Sequence, residues 1–322
     1  MMASSVRSDF VPALRDLLPL RDPLGPCSLD VTVGGLTVAL SGFSPSQAAT
    51  LAARYGAFAS QSRSASSFRL RVVRAQREGF LQCAGGHELY RVKIAWEGST
   101  LIATSYEWAG WFDREAGAGG LALGEPAETD SRAFDRSLEN FLRVVFAHTM
   151  VPRGGFLLHG AGLVVGGKAF LFFGPSGSGK TTVTSLTPEA LVLSDDLTLL
   201  MNGDDGVVRA CSVPFRGVFA PHPVSIESFP VAGFFRLIQD TTDFLEPIQG
   251  AKGVGEVVGS LPFVTDRPEM MGEVIDAVAR ATGSAPVFRM HFRKDRTFWD
   301  EIRRAGLPGP AVDDFRAVRG MK

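Results

Sequence analysis

The chain has 322 residues, 45% of them hydrophobic and 21% charged, a size and composition that predict two ordinary globular domains and exclude a largely disordered chain. Its 33 basic and 34 acidic side chains leave a formal net charge of -1, which offers no bulk attraction to nucleic acid or to an anionic membrane. The three cysteines, Cys27, Cys83 and Cys211, are odd in number and far apart, which excludes a disulfide framework and predicts a cytoplasmic protein.

Arg7, Asp9, Arg15 and Asp16 interrupt the apolar residues at the start, so no export signal is expected. No stretch reaches the ~20 apolar residues of a membrane span, since even Gly154 to Phe173 is broken by His159 and Lys168. Phe10, Val11, Leu14, Leu17 and Leu18 recur at helical spacing, and Leu29 to Val33 and Leu36 to Leu40 flank Gly34-Gly35 as the arms of a hairpin do. Ser44, Pro45 and Gln47 supply an N-cap, a proline at the first helical position and a capping-box glutamine, and Gly56 follows, so a helix from Pro45 to Tyr55 is predicted. Phe68, Leu70 and Val72 alternate with Arg69 and Arg71 as in a half-buried strand, and Leu89 to Trp96 and Thr100 to Tyr106 read as strands around the turn Glu97-Gly98. The glycine-rich run Ala116 to Glu125 reads as a linker and places a boundary near Glu128, giving an α+β domain over 1–128 and a second domain over 129–322.

From Ser131 to Met150 the residues Phe134, Leu138, Phe141, Leu142, Val145 and Phe146 fall on one stripe of a helix. Phe156 to Val165 and Lys168 to Phe173 flank Gly166-Gly167 as a second hairpin. Beyond it Ala190 to Leu193, Thr198 to Met201 and Val207 to Cys211 read as strands, the last two joined through the turn Asn202 to Gly206. Between Pro214 and Pro262 frequent glycine and proline blur the periodicity, and few elements can be assigned.

Gly174, Pro175, Ser176, Gly177, Ser178, Gly179, Lys180 and Thr181 match the pattern GxxxxGK[ST], with an apolar strand before it and a helical stretch after it, the context that a phosphate-binding loop requires. Backbone N–H groups and the positive end of a helix cradle phosphate only where the main chain can approach closely, a role for Gly177 and Gly179. Lys180 is expected to span the β- and γ-phosphates of a nucleoside triphosphate, with the Thr181 hydroxyl a hard oxygen ligand for Mg2+ and Thr182 completing the nucleotide-binding set. The run Leu191 to Asp196 ends an apolar strand in two adjacent carboxylates, Asp195 and Asp196. One carboxylate suffices to help position Mg2+; neighbouring side chains diverge along a strand, so the other can face a hydroxyl attacking the γ-phosphorus.

His159, beside Leu157, Leu158 and Gly160, fits a hydrogen-bonded core histidine as well as a site residue. Arg216, in a Pro-Phe-Arg-Gly turn, can stabilise charge on a transferring phosphoryl group or simply lie at the surface. The basic run His291 to Arg296 reads in a neutral chain as a solvated turn at a strand end, not as a nucleic-acid surface. Cys83 and His87 lack a second pair of ligands, so structural zinc is not expected.

The stretch from His159 to Leu200 resembles the catalytic domain of the HPr kinase/phosphorylase family, whose core is similar to that of ATP-dependent phosphoenolpyruvate carboxykinase. The likeness rests on His159-Gly160, the hairpin Gly166-Gly167, the loop Gly174 to Lys180 and the pair Asp195-Asp196, in that order. The whole layout, with Leu138-Glu139-Asn140-Phe141-Leu142, Val213-Pro214-Phe215-Arg216-Gly217 and Val287 to Phe292, is similar to that of HPr-kinase-related proteins associated with modified-peptide clusters, which resemble serine kinases acting on peptides or small molecules. The resemblance implies that Asp195 accepts the proton of a substrate serine, that Asp196 helps hold the metal, and that His159 lies beside the transferred phosphate.

The expected fold is therefore α/β, a phosphate-loop kinase domain of the HPr kinase/phosphoenolpyruvate carboxykinase type with a smaller N-terminal α+β domain for substrate recruitment or assembly. The expected function is transfer of the γ-phosphoryl group of ATP, with Mg2+, to a serine-like hydroxyl of a peptide, protein or small molecule. Asp195, His159, Lys180 and Arg216 form the expected catalytic set, and Thr181 and Asp196 the metal ligands. Two alternatives stay open: a carboxykinase-like enzyme on a small carboxylic acid, for which Arg236, Lys252 and Arg267 are available cations, and a nucleotide-gated binding module without transfer. Neither a nucleic acid nor a membrane is an expected partner, and homo-oligomerisation is left open.

Overall fold

The computed structural model describes residues 11–59, 68–75, 92–105, 107–124, 130–215, 225–265 and 267–310. The chain divides into two compact units, Met1–Thr149 and Met150–Lys322.

In the first unit, strands β1 (Cys27–Val33), β2 (Leu36–Phe43), β3 (Phe68–Arg74), β4 (Lys93–Glu97), β5 (Thr100–Ser105), β6 (Trp108–Asp113) and β7 (Ala118–Leu123) form one sheet in the order β1-β2-β3-β7-β6-β5-β4. The β1–β2 turn takes positive φ at Gly34 (55°) and Gly35 (78°), the conformation for which the glycine pair was read as a hairpin. Among the described residues three helices accompany the sheet: α1 (Leu14–Leu17), α2 (Pro45–Tyr55) and α3 (Ser131–Met150). At the start of α2 the Ser44 hydroxyl accepts from the Gln47 N–H and the Gln47 side chain accepts from the Ser44 N–H, closing the capping box.

Two expectations change here. The run read as a linker contains β7, which pairs in parallel with β3 and antiparallel with β6. Its glycines make room for a side chain: a Cβ on Gly120 would lie 2.3 Å from the ring of its register partner Trp111. The divide also falls after α3 and not near Glu128, because the apolar stripe of α3 is buried in the first unit. Phe134 meets Phe43, Phe146 meets Phe68 and Phe141 meets Trp108, with ring centroids 6.3, 5.9 and 5.8 Å apart. Arg54 on α2 adds ion pairs to Asp135 (2.8 Å) and Glu139 on α3. Gly110 lies under Phe141, where a Cβ would come within 2.3 Å of the ring. Gly110→Ala is therefore expected to destabilise this unit by ~1–3 kcal/mol through overpacking, measured as a lowered denaturant midpoint; an unchanged midpoint would contradict this packing.

The second unit contains β8 (Gly155–Val165), β9 (Lys168–Phe173), β10 (Leu191–Ser194), β11 (Leu197–Asn202), β12 (Val208–Cys211), β13 (Ser228–Gln239), β14 (Phe244–Ile248) and β15 (Val287–Phe292). Its helices are α4 (Lys180–Ser185), α5 (Gly250–Val258), α6 (Met271–Ser284) and α7 (Phe298–Arg304). The strands run β10-β8-β11-β12-β13-β15-β14, with β9 inserted between β8 and β13. The β8–β9 turn takes positive φ at Gly166 (56°) and Gly167 (73°), again as a hairpin glycine pair should.

At the centre β9, β13 and β15 lie side by side and parallel. A parallel strand covered on both faces carries continuous apolar sequence, which accounts for Ala169-Phe170-Leu171-Phe172-Phe173, all fully buried. Phe170, Phe172 and Phe288 stack on Phe235, and Trp299 of α7 meets Phe170 edge-on at 5.0 Å. The Trp299 indole N–H donates to the Thr187 hydroxyl (3.1 Å), securing α7 to the segment after α4. The carboxyl ends of the three parallel strands, Phe173, Gln239 and Phe292, thus come together. No described helix is long and apolar enough to cross a membrane.

Candidate functional site

Between Phe173 and Lys180 the chain turns from β9 into α4 with positive φ at Gly174 (150°), Gly177 (80°) and Gly179 (113°), which other residues adopt only with strain. The glycines serve different ends. A Cβ on Gly179 would approach the Phe292 ring to 2.5 Å, so this position is closed by packing against β15. A Cβ on Gly177 would meet nothing within 4 Å, so its backbone faces open space.

Lys180 is only 9% exposed and folds back on the loop, its ammonium donating to the carbonyls of Gly174 (2.8 Å) and Pro175 (3.3 Å). Burial pushes its pKa below the usual lysine value, and the negative charge of Asp196 pulls the other way. The Ser178 N–H donates to the Pro175 carbonyl (3.1 Å), and the buried Ser178 hydroxyl has no hydrogen-bond partner among the described residues. Thr181 is exposed at the first turn of α4 and Thr182 is half-buried.

The carboxylate pair lies in the tight turn from β10 to β11, where the Ser194 hydroxyl accepts from the N–H groups of Asp196 (3.1 Å) and Leu197 (3.0 Å). Asp195 is buried, whereas the Asp196 side chain is 27% exposed and places Oδ1 3.4 Å from Nε2 of His159. The backbone holds β8 to the start of β11 here, with Gly160 N–H donating to the Asp196 carbonyl (2.9 Å), while His159 N–H donates to the Ser260 carbonyl beyond α5 (2.9 Å). With a side chain 43% exposed, His159 is not a core histidine. The structure thus brings Lys180, Asp196 and His159 together beside the loop, with Asp195 adjoining in sequence. Arg216, Cys83 and His87 lie outside the described residues.

Two of the cations named for a carboxylic acid are engaged in ion pairs. Arg236 pairs with Glu256 (2.9 Å) and Arg267 with Glu269 (3.6 Å), while Lys252 is exposed on α5. Among the described residues no group of three or more histidine, cysteine or acidic side chains could hold a metal ion by itself. Burial raises the Cys211 thiol to about 11, which keeps it protonated and inert.

One site residue had no signal in the sequence. Gln239, at the end of β13, donates from Nε2 to the Gly177 carbonyl at 2.5 Å. It lies in the stretch where glycine and proline masked the strand period, and its partnership with the loop depends on β13 running beside β9.

A family model described as "SynChlorMet cassette protein ScmC" matches residues 127–306, more than half of the chain. No curated protein matches it. Among solved structures, the Hpr(Ser) kinase/phosphatase from Coxiella burnetii is similar over 47% of this chain and 95% of that one, at 10% identity and a TM-score of 0.29.

Proposed function

The chain belongs to the ScmC family, and we propose that this member is an ATP-dependent kinase of the HPr-kinase type, passing the γ-phosphoryl group to a serine-like hydroxyl of a peptide, protein or small molecule. The observation that carries the reading is the convergence on one loop: glycines at positive φ between a parallel strand and a helix, a nearly buried lysine, and a carboxylate whose charge that lysine feels. In a parallel sheet the carboxyl ends of the strands are where ligands bind, and this loop occupies such an end.

In this reading the loop amides and the start of α4 receive the phosphates, and Lys180 leaves the Gly174 and Pro175 carbonyls for the β- and γ-phosphate oxygens. The donors fit a hard cation: the exposed Thr181 hydroxyl and the Asp196 carboxylate are the oxygen donors that would hold it. Mg2+ held there supplies neutralisation of phosphate charge. Asp195 takes the proton of the acceptor hydroxyl as its oxygen bonds to the γ-phosphorus, and the bond to the β–γ bridging oxygen breaks to release ADP. His159, through its contact with Asp196, borders the transferred group, and Arg216, on its sequence position alone, is proposed to stabilise charge on that group. The first unit then recruits the acceptor or mediates assembly.

The test is a reaction with γ-labelled ATP and serine-containing peptides, followed by chemical analysis of the labelled product. An ester stable to mild acid and to hydroxylamine is expected, because an aspartate base suits an alcohol that loses its proton on attack. An acid-labile phosphoramidate or a hydroxylamine-sensitive acyl phosphate would overturn the hydroxyl acceptor. Binding of ATP without consumption under any acceptor would favour a nucleotide-gated module.

A further inference from the structure

We propose that Gln239 is a positioning residue for the loop that follows β9, a role that rests on the nucleotide reading above. Gln239 is the last residue of β13, which runs parallel to β9 with Arg236 level with Phe173, so its side chain arrives alongside the loop and not beneath it. There its amide donates to the Gly177 carbonyl at 2.5 Å.

In a trans peptide the carbonyl and the following N–H point in opposite directions. The unit joining Gly177 to Ser178 is held at both ends, its carbonyl by Gln239 and its N–H by the Pro175 carbonyl at 3.1 Å, which fixes the plane of that peptide. This is the point of the loop that most needs holding. Gly174 and Gly179 are confined by Ser178 and Phe292, whereas Gly177 faces open space, and an unconfined glycine has the most conformational freedom to lose. Restraint from Gln239 removes part of that loss before any phosphate arrives, so the loop amides are aimed in advance. A neutral amide suits the position. A carboxylate there would oppose both the carbonyl and the incoming phosphates, while an amide donates without adding charge. The adjacent Asp240, bonded to Nδ1 of His291 at 2.8 Å, anchors the strand end that carries Gln239.

The experiment titrates the full chain with Mg-tripolyphosphate and with Mg-ATP, comparing the unmodified protein with Gln239→Met and Gln239→Glu. Methionine keeps the length and removes the donor. It is expected to weaken both ligands equally, by about three- to tenfold for one hydrogen bond, without lowering the ligand-free melting temperature. The glutamate variant should bind worse still at neutral and higher pH, because an ionised carboxylate has no donor for the Gly177 carbonyl and repels the phosphates. The ratio of methionine variant to unmodified protein should not change with pH. Equal affinity of Gln239→Met and the unmodified chain for both ligands would overturn the proposal. A loss confined to ATP would also overturn it, making Gln239 a contact to the nucleoside. If the unmodified chain binds neither ligand, the nucleotide reading fails and this one falls with it.

Discussion

Asp195→Asn is expected to lower phosphoryl transfer by about 10²–10⁴-fold while leaving Mg-ATP binding nearly intact, the range that loss of a general base produces. Asparagine keeps the shape and part of the hydrogen-bonding capacity but cannot take a proton. Asp195 is buried in the β10–β11 turn, so a substitution that preserves shape is the informative one. Asp196→Asn should differ in kind. Asp196 is the carboxylate that reaches His159 and whose charge acts on Lys180, so its loss should raise the magnesium requirement first. Adjacent carboxylates can titrate as a pair, so single-turnover rates must be compared across pH and at saturating magnesium. Transfer by Asp195→Asn at the unmodified rate under those conditions would remove the base assignment.

Lys180→Met is expected to lower turnover by about 10²–10³-fold, as removal of a preorganised charge-stabilising donor does, while ligand-free stability stays within about 1 kcal/mol of the unmodified chain. The two readouts separate because the lysine contributes little to the fold. Burial already opposes its charge, and its hydrogen bonds go to two carbonyls of its own loop. Methionine occupies similar volume without a desolvated charge. Calorimetric unfolding and Mg-ATP titration of the same samples check both. A large loss of stability would make Lys180 a structural residue, and unchanged turnover would remove the loop from the mechanism.

Local chemistry was readable along the chain wherever it was self-contained. The α2 capping box needs only Ser44 and Gln47, and the hairpins at Gly34-Gly35 and Gly166-Gly167 need only their own backbone, so both kinds of element lie where the pattern placed them. The stripe of α3 announced a helix but not its partner, since Phe134, Phe141 and Phe146 would suit any apolar sheet. Glycine was ambiguous for a physical reason. The residues around Gly120 have the composition of a flexible linker, yet the missing Cβ there accommodates an indole from the next strand. For the candidate site, the sequence pattern offered Gly174 to Thr181 and the paired aspartates as candidates, and the structure supplies the contact between His159 and Asp196. Gln239 was invisible because its role exists only once β13 lies beside β9.

The parallel arrangement of β9, β13 and β15 also sets an order of events during synthesis. β9 pairs with a strand that begins at Ser228, and Gly179 rests against Phe292, more than a third of the chain further on. Contacts so distant in sequence form slowly, because the intervening chain must be closed into a loop first. The glycine turn leaves the ribosome before β13 and β15 and gains them as neighbours only once they have emerged. Until then its apolar strand Ala169-Phe170-Leu171-Phe172-Phe173 has β8 on one edge but lacks β13 on the other, a nascent segment with reason to need a chaperone.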